Sequence, residues 1–366
     1  MSIFFFYLTG KAFVEFEVGV FGYEGYFLRI PQSQYYYLVN GLALLPCIHL
    51  PVDLKRPSDI TIAYLYWTIV IPTAAVSLVF FEETDAAKIL LPFYFVVSLA
   101  IVDWSRRTLT WPVPVFRFPE LGKLLLFALV VIGGVLTFQQ IGFQVNLSFA
   151  DVYTRRLEAR ASTQTGGFLA YLQACLPLLA SLTLAMGISY RKPIYVLSSI
   201  FAGVALFSFD GSKFAIFSLL TTLLFYAICH CVPRRNFFPI AMLAALLCFF
   251  GVIQGARRGN LIPYAITGHR IAVALGFLSC VHYEYSLATG PGYMAEGRIG
   301  RLTGEITWTP FGPRTIGAVY FYNPDANANV NFIAAAVSQV GPVYLLCASL
   351  LIGVVLGVID RLEGYD

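Results

Sequence analysis

Arg156 and Arg160 stand four positions apart in the stretch SFADVYTRRLEAR, and a helix starting at Ser148 with Asp151 in its first turn would set both guanidiniums on one face, with Arg155 on the adjacent side. A guanidinium is planar, charged at any relevant pH and able to bond two oxygens at once, so such a face suits a phosphate or pyrophosphate. Arg257 and Arg258 form a second pair in GARRGN, directly after an apolar run and between two glycines that let the backbone approach a ligand closely. Beyond them come His269 and Arg270, His282 and Glu284, then Arg298, Arg301, Glu305, Arg314 and Asp325. Their imidazoles and carboxylates are the groups from which a general base could be drawn. No spacing here fits a nucleophile triad, a Walker loop or HExxH. Asn327, Asn329 and Asn331 alternate just before the last apolar run, where amides either bond sugar hydroxyls or cap the incoming helix. Trp308, Phe311, Tyr320, Phe321 and Tyr322 offer faces for sugar C–H groups or form an interfacial belt. Plainer roles for the arginines stay open: a basic helix resting on anionic headgroups, or pairing with Asp151 and Glu158.

The elements that must position these groups are membrane spans. Only 12% of the residues are charged and 58% are hydrophobic, and runs of about twenty apolar residues recur along the whole length, which a water-soluble domain would not need. The expectation is an all-α polytopic transmembrane bundle of nine or ten spans, a single integral membrane domain over 1–366. Nine spans are drawn at 34–52, 60–80, 88–104, 121–137, 167–187, 193–209, 214–231, 236–253 and 338–359, and 1–33 is either interfacial or a tenth. The start MSIFFFYLTGKAF has neither a basic n-region nor a small-residue cleavage site, so a cleaved signal peptide is not expected. A formal charge of +4 gives no argument for nucleic acid. Cys47, Cys175, Cys248 and Cys347 lie in apolar runs as small hydrophobes. Cys229 and Cys231 flank His230, but with no second cluster no metal site is expected.

Short loops set the orientation. Lys55 and Arg56, then Arg106, Arg107, Arg117 and Lys123, then Arg191 and Lys192, then Arg234 and Arg235, and finally Arg361 share one side, whereas the other side holds FEETDAAK and the DGSK turn of Asp210 and Lys213. The basic side and the C-terminus are therefore expected in the cytoplasm. That places 138–166 and 254–336 outside, together with nine of the chain's 24 Lys and Arg residues. Basic residues on a translocated face contribute nothing to orientation, which points again to a bound anion. Within the second loop IAVALGFLSC, 271–280, is too short to span and reads as a re-entrant or interfacial helix.

Three stretches, FSFDGSKFAIFSLL at 207–220, GARRG at 255–259 and NANVNFIAAAVSQVGPVY at 327–344, resemble the Wzy-type O-antigen (oligosaccharide repeat-unit) polymerases of bacterial surface polysaccharides, the C-terminal half more closely than the N-terminal half. The resemblance implies an inner-membrane glycosyltransferase facing the periplasm. It would move a glycan from undecaprenyl diphosphate onto the next lipid-linked repeat unit with inversion, without metal, nucleotide sugar or other cofactor, among membrane lipids and with a chain-length regulator as a possible partner. It implies substrate-binding arginines in both outer loops, for which Arg155, Arg156, Arg160, Arg257, Arg258, Arg270 and Arg314 are the candidates, with Asn329 beside the sugar. Because both loops reach the membrane surface at span ends, Arg156 or Arg160 and Arg257 or Arg258 are expected on one diphosphate. An acceptor base would be His269, His282 or Glu284. An O-antigen ligase, sharing donor and leaving group, and a non-enzymatic flippase of lipid-linked oligosaccharide are the alternatives.

Overall fold

The structure, a computed structural model, describes residues 33–51, 56–81, 86–109, 120–146, 168–211, 213–231, 273–290, 312–322 and 330–362, with a few isolated positions such as Ala159, Ile253, Arg257 and Ala328. Every element among them is helical. Among the described residues six helices are long and apolar enough to cross a bilayer: Ser58–Phe80, Ala87–Thr108, Glu120–Gln140, Tyr171–Ser189, Pro193–Asp210 and Pro342–Arg361. The chain is thus a membrane-spanning helical protein. It divides into two compact units, one of residues 1–115 with 238–366 and one of residues 116–237.

The first unit opens with α1 (Ser33–Leu44), which tightens into a 3₁₀ turn at Leu45–Ile48. The expected span 34–52 is therefore a helix of 12 residues, about 18 Å long, because Pro46 brings no N–H to continue the ladder. Next, α2 (Pro57–Leu65) passes through a π turn, Tyr66–Val70, into α3 (Ile71–Phe80). The π turn closes through the Ile71 N–H to the Tyr66 carbonyl, one residue ahead of Pro72, which has no donor to keep an α ladder running. Tyr66 anchors this turn on α1 by donating to the Ala43 carbonyl at 2.9 Å. This span is the centre of the unit, with 83% of its most apolar window buried.

Around it pack α4 (Ala87–Thr108), the non-spanning helices α9 (Ala274–Thr289), α10 (Pro313–Tyr320) and α11 (Phe332–Gln339), and the last helix α12 (Pro342–Leu362). Helices α4 and α12 touch along Gly353 and Gly357, where an added Cβ would stand 2.6 Å from the Val102 carbonyl and 2.8 Å from the Arg106 carbonyl. Small residues four apart allow this backbone approach, and a Ser98–Ser349 hydrogen bond of 2.7 Å fastens it higher up.

Among the described residues the second unit holds four helices: α5 (Glu120–Gln140), α6 (Phe168–Ser189), α7 (Pro193–Asp210) and α8 (Lys213–Cys231). Gly133 lies against Leu172 and Leu176 of α6, Gly134 against Phe201 of α7, and Gly203 against Leu219 of α8. The DGSK turn joins α7 to α8 through Gly211, whose φ of 64° and N–H to the Phe207 carbonyl end the helix in the left-handed conformation that glycine favours. Whether Asp210 and Lys213 pair, and whether 236–253 spans, lie outside the described residues, as does the Cys229, His230 and Cys231 cluster at the level of side chains.

Candidate functional site

Helix α9 occupies the place where a short non-spanning helix is expected, but it runs on to Thr289 and so carries His282 and Glu284 on its surface. Its start is held at the centre of the unit, since a Cβ on Gly276 would come within 2.6 Å of the Pro72 carbonyl. Two positions apart, His282 and Glu284 point about 200° from each other around the helix.

His282 faces inward and is 2% exposed. Its Nε2 donates to the Ala328 carbonyl at 2.8 Å, since only the ring nitrogen of that pair can give a proton. Burial drives its pKa down to about 4, and the Ala328 bond offsets only part of that. At neutral pH it is an uncharged imidazole that ties α9 to the segment entering α11. Glu284 is half-buried and accepts from the Tyr320 hydroxyl at 3.0 Å, and the Tyr285 and Tyr320 rings meet edge to face beside it. One turn before Glu284 on the same helix Cys280 is fully buried, and burial first, then the Glu284 charge, pushes its thiol well up, so it stays protonated.

Asn331 closes the site from the other side. Its Oδ1 accepts from the Ile333 and Ala334 amides at 3.1 and 3.0 Å, capping α11, and its Nδ2 donates to Ser279 Oγ of α9 at 2.8 Å. Of the two roles open to this asparagine run, Asn331 takes the capping one. Ala328 adds a third tie by donating its N–H to the Pro313 carbonyl at the start of α10. The segment from 273 to 340 thus brings His282, Glu284, Tyr320 and Asn331 onto one framework of helices too short to span.

Of the other candidates, Arg314 lies at the second position of α10, with its side chain outside the described residues. Arg257 is helical and exposed. His269, Arg155, Arg156, Arg160, Arg258, Arg270 and Asn329 lie outside the described residues. No family model, curated protein or solved structure matches the chain.

A second polar cluster was not singled out from the sequence. Arg106 is placed there in a cytoplasmic loop, yet α4 continues through Thr108 and buries its guanidinium to 1%. It meets Asp59 at 2.7 Å, Asp103 at 2.6 Å and Asp360 at 3.8 Å, while Ser58 accepts from it and donates to Asp360. The cluster locks α2, α4 and α12 at one end. The signal for it was three aspartates, Asp59, Asp103 and Asp360, at the ends of apolar runs on the arginine-rich side.

Proposed function

We propose that the chain is a polysaccharide polymerase of a bacterial inner membrane, working at the periplasmic face on undecaprenyl-diphosphate-linked glycan. The observation that carries the reading is Glu284: a half-buried carboxylate, held by Tyr320, on a helix too short to span within the long arginine-bearing segment. The stretches at 207–220, 255–259 and 327–344 give the same direction by resemblance. In the reaction an acceptor sugar hydroxyl attacks the anomeric carbon of the donor glycan, its oxygen forms the new glycosidic bond, and the bond to the lipid diphosphate breaks with the electron pair leaving on phosphate oxygen. Glu284 takes the hydroxyl proton, with His269 as the other base candidate, while buried His282 holds α9 in place. Arg155, Arg156 and Arg160 of one loop and Arg257, Arg258, Arg270 and Arg314 of the other are the candidates to neutralise the departing diphosphate, where fixed charges lower a barrier most effectively. Asn329 is the candidate for a sugar hydroxyl.

The test is conversion of purified lipid-linked repeat units into a ladder of longer chains by the reconstituted protein. Glu284→Gln should abolish the ladder and Tyr320→Phe weaken it several-fold, with inserted protein unchanged; a normal ladder from Glu284→Gln would remove the base assignment. Transfer only to a lipid A core acceptor would make the protein a ligase, and movement of substrate across vesicles without elongation would make it a flippase.

A further inference from the structure

At the end of the first unit that holds the Arg106 cluster, a cavity of about 510 Å³ opens between the Leu45–Leu50 segment and α4. Its α4 wall is one helical stripe, Val96, Leu99, Ala100, Asp103, Trp104 and Arg107, and Ile62 of α2 forms its back. The walls are apolar until the last turn, where Asp103 and Arg107 supply charge. From Val96 to Arg107 the stripe rises by eleven residue steps, about 16 Å, which is roughly half of a hydrocarbon core and so the depth of one leaflet. Trp104, 53% exposed, stands at the level where an amphipathic ring meets the membrane boundary.

We infer that this cleft seats one acyl chain of a phospholipid whose head carries both a phosphate and an ammonium, the phosphate on Arg107 and the ammonium on Asp103. Arg107 bonds Asp103 through Nε at 3.1 Å and Nη2 at 2.8 Å and reaches the His49 carbonyl at 3.3 Å, while its Nη1 bonds none of the described residues. Its side chain is 47% exposed, so that donor pair is open to a phosphate. Asp103 Oδ1 is saturated by Arg106 and Arg107, but Oδ2 accepts only from Arg107 and keeps room for an ammonium. Charge selects between lipids. At the cavity wall itself the carboxylate Oδ2 of Asp103 can meet an ammonium, which a purely anionic head does not bring, so the site favours a head that carries its own cation. A polyprenyl phosphate fits less well, since its charge is anionic only and its chain far exceeds one leaflet. This inference is independent of the polymerase reading.

The experiment is native mass spectrometry of the full chain in mild detergent with added phosphatidylethanolamine, phosphatidylglycerol or polyprenyl phosphate. The wild type should hold phosphatidylethanolamine on the order of tenfold more tightly than phosphatidylglycerol, the scale of one charged hydrogen bond. Ala100 is exposed at the cleft wall, so Ala100→Trp fills the cleft without entering the core and should remove the adduct at an unchanged melting midpoint. Arg107→Gln should weaken both phospholipids alike, since each brings a phosphate, whereas Asp103→Asn should erase the preference between them, and these arms carry the test if Ala100→Trp folds poorly. Equal retention of both lipids by the wild type, a folded Asp103→Asn variant that discriminates as before, an Arg107→Gln variant that holds both lipids as tightly as the wild type, an intact adduct on folded Ala100→Trp, or displacement by polyprenyl phosphate at equal concentration would each overturn the inference.

Discussion

The two units solve the problem of a polar interior in opposite ways. Among the described residues the first unit buries Asp59, Lys88, Arg106, His282 and Asp360, whereas the buried polar residues of the second, Thr137, Gln173, Thr183, Ser198, Ser199 and Ser208, are all uncharged. In the second unit several hydroxyls bond the carbonyls of their own helix, as Ser199 does with Tyr195 at 2.7 Å, ties between segments such as Gln173 to Thr137 at 3.3 Å join uncharged groups, and small residues let apolar faces close. In the first, groups from distant parts of the chain meet: Ser58 and Asp360 are bonded across 302 positions, and Asn331 to Ser279 across 52. Charge buried at a helix end is expensive unless fully paired, so its presence marks where the fold is fixed by specific partners rather than by shape alone. The base candidates His282 and Glu284 lie in that same unit.

The contrast breaks most sharply at Arg106. Arg106→Ala leaves Asp59 and Asp360 buried around a lost cation and should cost about 3–5 kcal/mol, read as a collapse of the melting midpoint in detergent; a midpoint within a degree or two of wild type would make the cluster ornamental. Next comes pH. The imidazole of His282 titrates near 4 when folded and near 6.5 when unfolded, so its contribution is full above 6.5, falls as pH drops from there toward 4, and is flat below. The loss approaches roughly 3 kcal/mol, and His282→Gln should flatten that part of the stability profile. Smaller again is Asn331→Ala, which removes the cap of α11 and its tie to Ser279, for about 1 kcal/mol. Smallest is Ser199→Ala in the second unit, expected within about 0.5 kcal/mol because the Tyr195 carbonyl keeps its place in the helix ladder. A cost for Ser199→Ala equal to that of Asn331→Ala would erase the distinction between the units.

Much of the fold was legible because a bilayer writes itself into composition. The cores of the six long helices follow the apolar runs closely, and the Gly211 turn and the non-spanning helix fall where the residues place them. What escaped was governed by pairing. Arg106 reads as a loop residue while its partners are unknown, yet once Asp59, Asp103 and Asp360 neutralise it α4 gains another turn. Likewise α9 extends past the apolar run because His282 and Glu284, polar in sequence, find the Ala328 carbonyl and the Tyr320 hydroxyl. Proline explains the shortened α1. At the candidate site Glu284 was legible as a residue type, whereas its hold by Tyr320, 36 positions away, was not.

The π turn at Tyr66–Val70 has a consequence for insertions and deletions. Such a turn accommodates one residue more than an α-helix needs while leaving the flanking turns in phase. Removing a single residue there would let α2 and α3 join as one continuous helix that still lacks the Pro72 donor, with Asp59 and Phe80 facing their present neighbours. The same deletion a turn to either side would swing one of them by about 100°. The span therefore carries one internal site at which its length can drift between related sequences without disturbing either end.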